Sequence, residues 1–93
     1  MRTPAIEAIP LIKRQLTELE DAPSDSVASG RRAALWRAQA QAARLDRTIE
    51  DLRNYCLESL KPRRFIDEGD SEYLRGYREG FQVVLREVRR LES

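Results

Sequence analysis

The sequence predicts an all-α fold, and three observations carry that expectation. Apolar residues recur at alternating spacings of three and four in three separate stretches, the period of one helix face. No stretch shows the strict alternation of a half-buried strand. Prolines stand only at positions 4, 10, 23 and 62, so the long interior of the chain carries no proline helix breaker.

The first stretch is Ile9, Ile12, Leu16 and Leu19. It predicts a helix over 9–20 with Pro10 in the first turn, where a missing N–H costs nothing. A start at Thr3-Pro4 would instead make Pro10 an interior proline, at about 3 kcal/mol or a kink. Residues 21–29 then crowd turn formers and caps together. Ser24, Asp25 or Ser26 can cap the next helix, and Ser29 before Gly30 is a later candidate.

The second stretch is the strongest signal. Leu35, Ala38, Ala42, Leu45, Ile49, Leu52 and Cys56 form a heptad seam without a gap. It predicts one long central helix over 26–60, roughly 50 Å in length. Lys61 ends it, because the residue before a proline disfavours the helical region. Residues 61–70 read as a connection. Asp70 or Ser71 can cap a third helix over 71–92, whose seam is Leu74, Tyr77, Phe81, Val84, Val88 and Leu91. Glu72 suits its positive end, and Arg89 and Arg90 suit its negative end.

With 93 residues, the chain is expected to form a single helical domain over 1–93. Its seams pair as antiparallel hairpins with coiled-coil-like packing. A hairpin closing near residue 66 places Cys56 near Leu74, Leu52 near Tyr77 and Phe81, Ile49 near Phe81, and Leu45 near Val84 and Val88. A second, closing near residue 23, places Leu19 near Ala28 and Ile9 near Ala38. Helices 1 and 3 then tile the long helix end to end. Such two-helix layers enclose little core, and small domains commonly add a staple. The expected staple is a symmetric homodimer with a four-helix cross-section. The alternative is a compact monomer with helix 1 laid across the hairpin as a third layer.

Composition narrows the function classes. Seventeen basic and sixteen acidic residues leave a net charge of +1, so global charge argues for neither nucleic acid nor membrane. Histidine, the commonest general base and zinc ligand, is absent. The single cysteine, Cys56, forms no internal disulfide and no multi-cysteine metal site. No apolar run approaches the roughly 20 residues of a membrane span, and no signal-peptide pattern opens the chain. The expected location is cytoplasmic, with no cofactor and no metal. Fifteen of the basic residues are arginine, against Lys13 and Lys61, and the usage fits a GC-rich prokaryotic or phage genome.

No catalytic residue is assigned. The chain shows no nucleophile beside a base and no Gly-rich phosphate loop, and Cys56 falls on a seam as an inert buried thiol. The candidate partner-binding residues are Arg31, Arg32, Trp36 and Arg37, with Arg63 and Arg64. Tryptophan and arginine are enriched at binding hot spots, and the guanidinium fork fits carboxylates and phosphates. Trp36 lies one position past the seam, where it either covers helix 1 or stands exposed as an anchor. Leu45, Ile49, Leu52, Gly76, Tyr77, Gly80 and Phe81 are the candidate packing positions. Gly76 and Gly80 share a helix face and together cost about 2 kcal/mol in helix propensity, a cost that a closely approaching helix offsets. The functional expectation is a non-enzymatic helical protein–protein interaction module. A small phage- or bacterium-encoded inhibitor or adaptor is its specific form, with anti-CRISPR-like inhibition as one version. Two alternatives stand beside it. One is a nucleic-acid binder using the arginines of the central helix and of the 61–64 loop. The other is a structural assembly or scaffold dimer.

Overall fold

The computed structural model describes residues 3–21, 25–44, 46–61 and 71–92, and every regular element among them is helical. A 3-10 turn over Ala5–Ala8 leads into α1 (Ile9–Glu20), followed by α2 (Ser26–Ala42), α3 (Ile49–Leu60) and α4 (Ser71–Glu92). Pro10 occupies the first turn of α1. Asp25 caps α2, its carboxylate accepting from the Ala28 N–H at 2.7 Å. Glu72 stands in the first turn of α4 and Arg89 and Arg90 in its last, each opposite in sign to the helix end it faces. The bounds expected for the first and last helices agree with α1 and α4.

The single helix expected over 26–60 is not formed: α2 and α3 are separate helices. Thr48 builds a capping box for α3. Its hydroxyl accepts from the Asp51 N–H at 3.2 Å while the Asp51 carboxylate accepts from the Thr48 N–H at 3.0 Å. Such reciprocal caps satisfy amide donors that a helix start would otherwise leave open. The N-terminal segment holds the break from outside. The Ala5 N–H donates to the Arg47 carbonyl at 3.0 Å, and the Ile49 N–H donates to the Thr3 carbonyl at 2.8 Å. Pro4 and Thr48 thereby form an isolated antiparallel bridge. A continuous helix would hold the Ile49 N–H and the Arg47 carbonyl within its own ladder, so this pairing and the long helix exclude one another. Leu45 lies outside the described residues.

Helix directions follow from the contacts. A Cβ on Gly76 would fall on the backbone of Val27, and one on Gly80 would meet Arg31 and Ala34. Residue numbers rise together along this interface, so α2 and α4 run parallel. Thr48, Ile49 and Glu50 lie beside Leu91 and Glu92, while Tyr55 meets Phe81 edge-on at 5.8 Å, so α3 runs antiparallel to α4. The 3-10 turn sits at the α2–α3 connection, whereas the Leu19 carbonyl is reached by Arg32, so α1 runs back along α2. These directions correct the expected register. Ile49 neighbours the end of α4, more than two turns beyond Phe81, and the end-to-end tiling of one long helix is replaced by layered helices. The molecule measures 43 × 33 × 22 Å, and its smallest dimension is about two helix diameters.

One core cluster draws on every helix. It contains Ala5, Ala8, Ile12, Leu19, Leu35, Ala38, Ile49, Leu52, Cys56, Phe81, Val84 and Val88 among others. The premise for the dimer, that only two helices face each other at any level, therefore does not hold. The α2–α4 interface is the most extensive between two helices, and it is built from absent side chains. Gly30 packs against the Tyr73 carbonyl, Gly76 against the Val27 backbone, and Gly80 against the Ala34 Cβ. Three glycines inside helices cost about 3 kcal/mol in propensity. Backbone-to-backbone packing returns dispersion contacts that a larger residue would hold apart.

Candidate protein-binding face of helix α2

Successive residues of a helix are turned by about 100°, so every α2 side chain has a fixed bearing. Ala28, Gly30, Ala34, Leu35, Ala38 and Ala42 are buried. On the opposite side, Ser29, Trp36, Ala40 and Ala43 are exposed and Ala33 is half-buried. The spacing of Ser29, Ala33, Trp36, Ala40 and Ala43 is four, three, four, three, a second heptad stripe back to back with the first. Small and apolar residues thus line two opposite sides of α2, with arginine and glutamine between them. Among the described residues, only the inner side is covered.

Trp36 stands at the centre of the outer stripe with 64% of its surface exposed. This decides between the two sequence-based readings: it is an exposed side chain, not a cover for α1. Among the described residues, Ile6 and Leu57 are the other large exposed apolar side chains. They lie on the 3-10 turn and on α3, and scattered single residues of that kind are ordinary.

The arginines divide by role. Between residues 26 and 44 there are four arginines and no carboxylate. Arg31 faces α4, where its guanidinium pairs with Glu79 at 2.5 Å and its Nε is buried without a hydrogen-bond partner. It fastens α2 to α4, so its guanidinium is engaged within the chain. Arg32 donates to the Leu19 carbonyl at 3.4 Å, close to the carbonyl end of α1, where a cation is favoured. Arg37 is exposed, with its guanidinium 5.7 Å from the centre of the Tyr77 ring. Tyr77 in turn stacks on Tyr73 at 6.3 Å and meets Phe81 edge-on at 5.0 Å. The cation beside Trp36 is therefore steadied by an aromatic row that continues into the core. Arg44 lies 3.9 Å from Asp46, both largely exposed. Arg63 and Arg64 fall outside the described residues.

Elsewhere the groups are quiet. Cys56 is fully buried, and desolvation pushes its thiol up to about 12, so it stays protonated and un-nucleophilic near neutral pH. The Thr48 hydroxyl is engaged as a cap. An open cleft of about 220 Å³ between Thr3, Thr48, Ile49, Glu50, Leu91 and Glu92 brings carboxylates together, but Glu92 is already paired with Arg53 at 2.6 Å. Among the described residues no three His, Cys, Asp or Glu side chains converge as metal ligands. No described helix is long and apolar enough to cross a membrane.

Trp36 and Arg37 stand out in the sequence by residue type, whereas the outer stripe that joins them does not. Its signal was present in the spacing of Ser29, Ala33, Ala40 and Ala43 around Trp36. Small residues carry little hydropathy, so the larger residues of the inner seam dominated. No protein-family model matches the chain, and no curated protein or solved structure shows significant similarity to it.

Proposed function

We propose that the chain is a non-enzymatic helical module that docks the outer face of α2 on a larger protein, as an inhibitor or adaptor. The observation that carries this reading is Trp36, exposed on a second heptad stripe and flanked by arginines without a carboxylate on the same helix. Tryptophan and arginine are enriched among the few residues that dominate binding energy at protein interfaces. The buried thiol and the capped hydroxyl support a binding role over a catalytic one.

The test is a photo-crosslinking amino acid in place of Ala40, expressed in the source organism, with wild-type Trp36 and with Trp36→Ala. A crosslinked protein that disappears in the Trp36→Ala background supports the reading. Crosslinks that are indifferent to Trp36 refute it.

A further inference from the structure

We infer that the occupant of this face is an acidic α-helix of another protein, packed lengthwise along α2; the inference rests on the docking role proposed above. The outer stripe fixes the shape of the occupant. Ser29, Ala33, Ala40 and Ala43 are small, so a facing helix can pack against them on either side of Trp36, whose ring then fills a recess between the facing side chains. From Ser29 to Ala43 the stripe rises about 21 Å, the length of two heptads.

The flanks fix its charge. With Ala33 and Ala40 at one seam position and Ser29, Trp36 and Ala43 at the other, Arg37 occupies one flank, and Arg44 follows just past the helix cap beside Asp46. Arg32 and Gln39 occupy the other. In a helix pair these flanking positions meet their counterparts across the seam and select partners by charge. Within α2 itself the stripe is flanked by Arg32 and Arg37 and by no carboxylate, with Arg37 the exposed one, which calls for glutamate or aspartate on the facing helix. A second copy of this chain supplies the opposite: parallel or antiparallel, α2 against α2 sets Arg against Arg or Gln along both flanks. Like charges so placed work against pairing. A nucleic acid would use the arginines but not the alanine stripe, and Arg31, the remaining cation of α2, is already held by Glu79.

The experiment uses the full chain and its only tryptophan, Trp36, as the reporter. The probe is a synthetic helical peptide of three heptads with leucine and alanine on its seam and glutamate on both flanks. Its mate carries lysine at the flanks instead. The glutamate peptide should shift Trp36 emission to the blue in a saturable titration, and the lysine peptide should not. In the variant Arg37→Glu with Arg44→Glu, affinity for the glutamate peptide should fall at least tenfold, and the lysine peptide should now bind. That exchange of preference cannot arise from misfolding.

Several results would overturn the inference. They are no shift with the glutamate peptide up to millimolar concentration, equal response to both peptides, or a tighter response to single-stranded DNA. A shift produced by raising the protein's own concentration would assign the face to a second copy. The crosslinking experiment separates the two levels. A Trp36-dependent crosslink to a segment that is neither helical nor acidic leaves the docking role standing and removes the acidic helix. Loss of any Trp36-dependent crosslink removes both.

Discussion

Replacing Gly76 by alanine should destabilise the protein, although helix propensity alone predicts the reverse. Alanine in a helix interior is favoured over glycine by about 1 kcal/mol. Against this, the new methyl would collide with the Val27 carbonyl oxygen and lie 2.7 Å from its carbon and 2.9 Å from its Cα. The obstacle is backbone, so no rotamer change relieves it, and α2 and α4 must separate. Overpacking costs about 1–3 kcal/mol and occasionally more, and a rigid obstacle places this site at the upper end. The net loss is then about 2 kcal/mol once the propensity gain is subtracted. For a domain of this size that lowers Tm by about 8–16 °C. Thermal and urea denaturation followed by circular dichroism measure it, with Ser29→Ala on the exposed face as the propensity control. A Gly76→Ala variant as stable as wild type, or more so, would refute the close parallel approach of α2 and α4.

Three further expectations use the same denaturation assays. Phe81→Ala should cost about 3–5 kcal/mol as a fully buried aromatic, whereas Trp36→Ala should stay within about 0.5 kcal/mol as an exposed residue; similar losses for the two would contradict their burial. Thr48→Ala should cost about 1 kcal/mol through loss of the cap on α3, and an unchanged midpoint would remove the capping box from the account. The Cys56 thiol ionises near 9.0 when unfolded but near 12 when folded. Between these values the unfolded state binds fewer protons, so stability falls as pH rises through that window. Wild type should lose stability more steeply there than Cys56→Ala, and parallel curves would show that the thiol is not desolvated.

The two outer helices were legible because independent signals agree at their ends. In α1 the apolar spacing and Pro10 coincide, and in α4 the spacing and the terminal charges coincide. The interruption between α2 and α3 was not legible from periodicity. Ala42 and Ile49 are seven residues apart, one full heptad, so the seam passes through the break with its phase intact. The local signal was the run from Thr48 to Asp51, a hydroxyl followed three residues later by a carboxylate. The stabilising partner, Thr3 to Ala5, comes from the far end of the sequence, beyond the reach of any window. Pairing register failed for a related reason. Large apolar residues were matched with one another, whereas the interface that organises the fold is made of Gly30, Gly76 and Gly80. A residue without a side chain leaves no hydropathy signal. For the candidate face, Trp36 and Arg37 could be named from type alone, while the role of Arg31 required Glu79 to be in place.

The parallel pairing of α2 with α4 has a consequence for how the chain reaches this state. Arg31 and Glu79, which clasp that pair, are 48 residues apart in sequence. Neighbouring hairpins, the usual fast units of helical bundles, do not build this interface. Most of the chain must be searched before the tightest contact closes, which slows folding relative to proteins dominated by local contacts. During synthesis α2 leaves the ribosome well ahead of α4, and the face that carries Gly30 and Ala34 waits unpaired until α4 emerges. This interface is therefore expected to close only once α4 has left the ribosome, and a nascent chain stalled before residue 80 should lack the protease resistance of one that includes α4.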